Sequence, residues 1–417
     1  MKRGTICILL ASSLPLACAR EDLSRDEVEA PADTSQVAEA IPYWSDEPLL
    51  TQEDIEKGRY DESWREAASI DSFGQPDAAG GTVPSATIVL SDSIAIPETW
   101  DDIEGLGVAT VADTAAVHLP LGGQVAGPSV LYVQVLLDRA RFSPGVIDGR
   151  WGQNVEKAVY WFQRTEGLPA TGIVDSVTFR RLTELAGAPS RYVVPVALTV
   201  DDVEGPFVEV PEGVYEQAEM QCLCYESLAE KLAEKFHATQ ELLERLNPDA
   251  TFDSLAVGDT LTVPGLGELA ARDTVEQIAR LIVSDQGEYV HALDAGGRIV
   301  YHFPSTLGSS YDPSPEGELT IAGVAMHPSF HYQPDLLSGV ADSARPAVLP
   351  PGPNNPVGLV WMQLSEEHYG IHGTREPATI GYETSSGCIR LTNWDAVFLA
   401  ERIDPGVPVE FTDAALR

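Results

Sequence analysis

The spacing of hydrophobic residues changes period along this chain, and the changes divide it into segments that cannot share one architecture. Over 127–187 the apolar positions Val130, Leu131, Val135 and Leu136 fall near helical spacing after a candidate start at Ser129. A glycine-punctuated turn, Gly145-Val146-Ile147-Asp148-Gly149-Arg150-Trp151-Gly152, leads to a second helical stripe of Val155, Ala158, Val159 and Phe162. That stripe stops near Gly167-Leu168-Pro169, and a shorter helix with Phe179 and Leu182 follows Asp175. Over 215–265, Leu228, Leu232, Phe236, Leu242, Leu243 and Leu246 form two short helical stripes. Asn247-Pro248 ends the second, and Leu255 to Pro264 reads as a turn into an alternating strand. Over 270–414 the period becomes that of β structure. Ile282, Tyr289, His291 and Leu293 lead into Asp294-Ala295-Gly296-Gly297 and then Arg298 to Phe303, a hairpin. Further strands are expected after Ser314-Pro315-Glu316-Gly317 and at Leu359 to Met362, and a late helix from Trp394 to Arg402. The spacing predicts a multidomain chain: a three-helix unit, a small mixed unit and a mainly-β domain.

Upstream, residues 18–126 read differently. They hold about 23 acidic and 5 basic residues, nearly half of the net charge of −38 that the 417-residue chain carries. So much like charge with scattered apolar residues does not easily offset chain entropy, so an acidic linker is expected. Short strands within 82–96 and 108–121, packed on a neighbour, are the alternative. The acidity excludes a nucleic-acid binder, which presents a basic face, and a broad electrostatic footing on anionic lipid. No apolar run reaches the roughly 18–20 residues of a spanning helix.

Residues 1–17 carry the marks of an export signal: Lys2 and Arg3, an apolar stretch from Ile6 to Leu16, and small Ala17 before Cys18. The run Leu14-Pro15-Leu16-Ala17-Cys18 resembles a bacterial lipobox, in which Cys18 would be lipidated and become the mature N-terminus. Pro15 departs from the usual aliphatic residue, and an ordinary cleaved signal is the alternative. By the same resemblance Ala19 favours the outer membrane. The expectation is an exported, periplasmic protein, anchored to the membrane through lipid on Cys18.

The chemistry concentrates in two short runs, Tyr369-Gly370-Ile371-His372-Gly373-Thr374 and Ser385-Ser386-Gly387-Cys388-Ile389-Arg390. A thiolate is a strong nucleophile, and a nearby imidazole can stabilise it, take the thiol proton and later return that proton to a leaving group. The intervening 16-residue spacing suffices for a strand, a loop and a return. Gly373 and Gly387 allow close backbone approach, and amides near Gly387 and Cys388 are candidates to face an oxyanion. Arg390 is placed to bind a carboxylate or to brace the loop. His368 and His372, four apart, raise a zinc alternative, but Gly370, Gly373 and Pro377 argue against the helix it needs. Cys222-Leu223-Cys224 offers half a metal site without a second half. A disulfide to a cysteine elsewhere, or two buried thiols, is expected there, and no metal.

These runs resemble the L,D-transpeptidase family, with its His-Gly-Thr and its Ser-His-Gly-Cys-type loop followed by Arg or Asn. The likeness takes in Pro315-Glu316-Gly317-Glu318-Leu319 and Asn355-Pro356-Val357-Gly358; Ser386 departs from it where many relatives have histidine. It implies that Cys388 is the nucleophile and His372 the base, with Gly373, Ser385, Ser386, Gly387 and Arg390 supporting substrate and oxyanion, and no cofactor. Residues 127–187 resemble the three-helix peptidoglycan-binding domain through Ile147-Asp148-Gly149, Gly152, Ala158-Val159, Phe162-Gln163, Gly167-Leu168, Gly172 and Thr178. Residues 215–265 resemble a lysin motif, a βααβ unit, through Leu246-Asn247-Pro248, Gly258-Asp259, Leu261 and Val263-Pro264, with a poorly matched first strand. Together these likenesses imply a cell-wall cross-linking enzyme whose partners are peptidoglycan glycan strands and stem peptides. The long segment 327–353 is expected to be either a lid over the site or a loop packed on the β-core.

Overall fold

A computed structural model describes residues 88–90, 117–123, 125–189, 191–267, 277–336 and 344–412. The expected export signal, Cys18 and most of the acidic segment lie outside the described residues. The end of that segment does not behave as a solvated spacer. Strands β1 (Ile88–Leu90) and β2 (Val117–Leu119) pair in parallel, and Leu121 bridges to Val174. Leu119 and Leu121 are fully buried, because this stretch, free of Asp, Glu, Lys and Arg from Thr114 on, caps the helical unit that follows.

That unit consists of α1 (Pro128–Arg139), α2 (Gln153–Thr165) and α3 (Ser176–Leu185). Two buried glutamines fix its turns. The Gln134 amide accepts from the backbone of Asp148 and Gly149 and donates to Asp148 Oδ1, shaping the turn in which Gly149 takes φ 71°. Gln163 does the same for Thr171 and Gly172 while donating to Ile173 O. Asp175 caps α3 by accepting from Thr178 N at 2.7 Å.

The second unit begins earlier than its helices suggest. Strand β3 (Val193–Ala197) pairs antiparallel with β4 (Thr260–Pro264), Val196 opposite Leu261. Two short helices, α4 (Val200–Val203) and α5 (Val214–Gln217), occupy the inserted stretch that follows β3. The helices α6 (Leu228–Lys235) and α7 (Gln240–Leu246) then complete an order of strand, helix, helix, strand. The first strand of this order thus lies ahead of residue 215, and the insertion separates it from everything that pairs with it. Cys222 and Cys224 are bonded to each other, correcting the expectation of a distant partner or of two buried thiols. Leu223 between them donates to Pro351 O and accepts from Asn354 N in the third domain.

That third domain opens with β5 (Arg280–Ser284), β6 (Tyr289–Leu293), β7 (Ile299–Pro304) and the long β8 (Gly317–Met326). A hairpin of β9 (Phe330–Tyr332) and β10 (Ala347–Leu349) occupies the long segment considered above. Tyr215, on α5 of the insertion, holds it through its hydroxyl, which bonds both Arg345 N and Arg345 O. There follow β11 (Val360–Leu364), β12 (Gly370–His372), β13 (Ile389–Arg390), α8 (Asn393–Ala400) and β14 (Pro408–Thr412). The main sheet runs β13-β12-β11-β8-β14-β5-β6-β7, parallel at β13/β12 and β14/β5 and antiparallel elsewhere. Its core gathers Leu281, Val283, Val290, Val360, Met362, Ile371, Ile389 and Leu399, all fully buried. Truncating one such aliphatic to alanine costs about 2–5 kcal/mol.

The three domains meet over buried polar contacts. Ser143 donates to Asp395 at 2.8 Å, His237 Nδ1 lies 2.7 Å from Asp138 Oδ2, and Ile147 bridges to Ala238. Lys157, on α2, is 1% exposed and pairs with Glu288 at 2.7 Å.

Candidate active site

Strands β12 and β13 pair in parallel, Ile371 opposite Ile389 and His372 opposite Arg390. Both isoleucines are fully buried in the core. The pleat therefore turns Gly370, His372, Cys388 and Arg390 to the opposite face. Trp361 on β11 pairs with His372 from the other side, its ring stacked on the imidazole with centroids 5.5 Å apart. The indole also lies over Gly370, where a Cβ would stand 2.6 Å from it, so any larger residue at 370 would displace the stack.

His372 is buried, and its Nδ1 lies 2.6 Å from Gly373 O. A carbonyl only accepts, so Nδ1 carries the proton and Nε2 the lone pair. Burial first, and the Arg390 charge second, pull the imidazole pKa to about 3, against a lift from the Gly373 carbonyl. It is neutral at physiological pH.

Cys388 is half-buried and is the free cysteine among the described residues. Its thiol faces His368 O at 3.7 Å. Burial raises its pKa, while a hydrogen bond from the Gly370 backbone and the charge of Arg390 pull it down. Thiol and imidazole are thus both neutral at rest.

The loop ahead of Cys388 is braced from within. Ser385 Oγ donates to Cys388 O at 2.5 Å and accepts from Gly387 N at 3.2 Å. Ser385 N donates to Leu307 O, and Arg390 exchanges backbone bonds with Thr306. Gly387 takes φ 97°, with Pro313 O and Tyr369 each 3.0 Å from where a Cβ would stand. Its amide donates to Ser385 Oγ. Ser386 is exposed. His368 sits in a turn at φ 73° ahead of β12 rather than on a helix with His372. Among the described residues no group of three His, Cys, Asp or Glu is arranged for a metal ion.

Two residues of this site escaped the sequence reading. Trp361 had a signal, since Val360, Met362 and Leu364 alternate inward and leave 361 on the outer face. Asn393 had none; its side chain packs against Gly358 and Gly373 from a helix start distant in the chain.

The profile of the L,D-transpeptidase catalytic domain matches residues 279–411, and that of a peptidoglycan binding domain matches 126–182. "Putative L,D-transpeptidase YkuD" of Bacillus licheniformis is 29% identical over 183 residues, 44% of this chain and 92% of that protein. "Putative L,D-transpeptidase in ATP synthase subunits region ORF 5" of Fuscovulum blasticum is 32% identical over 133 residues, 31% of this chain and 69% of that protein. This chain belongs to the L,D-transpeptidase family. Among solved structures, an L,D-transpeptidase from Xylanimonas cellulosilytica aligns at 14% identity over 70% of this chain and 97% of that one, with a TM-score of 0.30. One from Mycobacterium smegmatis aligns at 16% identity over 32% of this chain and 57% of that one, with a TM-score of 0.26. In the L,D-transpeptidase domain the outward face of β11, β12 and β13 is where thiol, imidazole and guanidinium gather.

Proposed function

We propose that this chain is an exported cell-wall L,D-transpeptidase that joins peptidoglycan stem peptides through a thioester on Cys388. The observation that carries the reading is the β12/β13 register, which puts the free thiol, an Nδ1-protonated imidazole and Arg390 on one face. His372 Nε2 takes the thiol proton as Cys388 Sγ attacks the carbonyl of meso-diaminopimelate at position 3 of a donor tetrapeptide. Collapse of the tetrahedral adduct breaks the bond to the terminal D-alanine, whose amine receives that proton from His372. The side-chain amine of a second stem then attacks the thioester, gives its proton to the thiolate through His372, and leaves a 3→3 cross-link. Arg390 favours the thiolate during the first step. The units at 127–187 and around β3 to β4 hold the enzyme to the wall; for the second, the lysin-motif reading is supported by its order of strand, helix, helix, strand.

The test incubates the full chain with defined tetrapeptide muropeptides and identifies products by mass. Dimers with release of D-alanine are expected, and none with Cys388→Ala. Trimmed tripeptides alone would mean water is the acceptor, and protein-linked stems would mean attachment of a protein. A carbapenem, whose strained carbonyl resembles the donor, should add its mass to Cys388; an unmodified thiol after prolonged incubation would sink the mechanism.

A further inference from the structure

Helix α6 of the second unit carries two carboxylates one turn apart, and each accepts from an asparagine of the catalytic domain. Asn354 Nδ2 donates to Glu230 Oε1, and Asn393 Nδ2 to Glu234 Oε1, both at 2.8 Å. Glu234 is buried, with its other oxygen accepting from Tyr225 at 3.2 Å, and Asn393 is wholly buried. Both ends of the Asn393 amide are committed. Nδ2 also donates to Pro353 O at 3.2 Å, and Oδ1 accepts from Leu359 N at 3.1 Å. Oδ1 fills a notch between two glycines; a Cβ would stand 2.0 Å from it at Gly358 and 2.2 Å at Gly373. Gly373 supplies the carbonyl that fixes the tautomer of His372.

We infer that Glu234 is a positioning residue for His372, acting through Asn393 and the Gly373 peptide, so that the second unit helps to orient the catalytic imidazole. The inference rests on the reading of Cys388 and His372 as the reacting pair. An amide can sit in its notch in two orientations, and acceptors on the Nδ2 side select the one that points Oδ1 at Leu359 N and Gly373. Without Glu234 a buried N–H loses a partner, and the flipped amide, which pushes two hydrogens toward the glycines, becomes competitive. The carboxylate is kept although burial lifts its pKa to about 7, a cost that packing alone does not require.

The experiment compares Glu234→Leu, Glu234→Gln and Glu230→Leu in the full chain. It reads the maximal rate and half-saturating concentration of Cys388 acylation by a carbapenem, and the 15N shifts of the His372 ring. Leucine removes the acceptor, glutamine keeps one at the same reach, and Glu230 makes a like contact that ends at Asn354. Glu234→Leu should lower the maximal rate about tenfold with half-saturation unchanged, and move the ring shifts away from a single Nδ1–H tautomer. Glu234→Gln should restore both, and Glu230→Leu should leave both as in the wild type. Wild-type rate and shifts in Glu234→Leu would overturn the inference, as would a Gln variant no better than Leu or a Glu230→Leu variant equally slow. If Glu234→Leu does not fold, Glu234→Asp, whose carboxylate falls one methylene short, carries the same expectation. Absence of any adduct on wild-type Cys388 would defeat the reacting pair instead, and the ring shifts would still decide whether Glu234 orients the imidazole.

Discussion

Ile389 points into the core between Cys388 and Arg390, so thiol and guanidinium share the outward face. Arg390 favours thiolate over thiol and neutral imidazole over imidazolium, while burial opposes the thiolate. With His372 held near pKa 3, its protonation does not switch the enzyme off in mildly acidic solution. Base and thiol both keep their reactive forms over this range, so Cys388 acylation should stay nearly level from about pH 5 to about 8, with no acidic limb near the ordinary histidine pKa of about 6.5. A bell centred near neutrality, measured by intact mass against time, would show a standing thiolate–imidazolium pair. Arg390→Gln should slow alkylation of Cys388 by iodoacetamide several-fold at fixed pH; an unchanged rate would remove the guanidinium from the electrostatics. The identities of thiol and imidazole were legible in Gly370 to Thr374 and Ser385 to Arg390. Their protonation states were not, because burial sets them and burial belongs to the folded sheet.

Strands β6 and β7 put His291 opposite His302, with Nε2 of the first 2.9 Å from Nδ1 of the second. Helix α2 of the first unit covers them, and the Trp161 ring lies 4.6 Å from that of His291. Burial drives His302 to a pKa of about 3, helped by Lys157, and drives His291 well below its ordinary value. Unfolded histidines take up protons near pH 6.5 and these two do not, so their contribution to stability is complete above that pH. It is lost as pH falls from about 6.5 toward 3. Glu234 and Asp395, both raised to about 7, act in the opposite sense: their contribution is complete below the ordinary carboxylate range and is lost as pH rises through 7. In thermal denaturation, His302→Phe should flatten the fall of Tm between about pH 6.5 and 4. An identical slope in the variant would show that the pair is protonated in the native state. The pattern of this hairpin was readable from Tyr289 to Phe303. That its histidines form a floor for another domain was not, since an alternating strand does not name what covers its outer face.

Across the whole molecule, the first two units are not beads on a string. Asp138, His237, Ser143 and Asp395 join three domains at one junction. The Cys388→Ala chain should thus co-sediment with isolated sacculi as fully as the wild type, because binding is assigned to surfaces away from the thiol. Loss of sedimentation in the folded variant would place wall affinity in the catalytic site. The anchor is tested separately: Cys18→Ser should move the protein to the soluble periplasmic fraction or leave an unprocessed precursor. Fractionation like the wild type would mean that Pro15 breaks the lipobox.

The three-part division, the helical and β periods and the two reactive runs are local properties, set by spacing and residue type, and the sequence alone determined them. Tertiary structure decided what depends on partners far apart in the chain. It found β3 for β4 across an inserted stretch, folded uncharged residues 117–123 onto the first unit, and closed Cys222 on Cys224. It also carried Glu234 to Asn393, 159 residues away, because burying one polar group requires another to meet it, and sequence spacing does not reveal which.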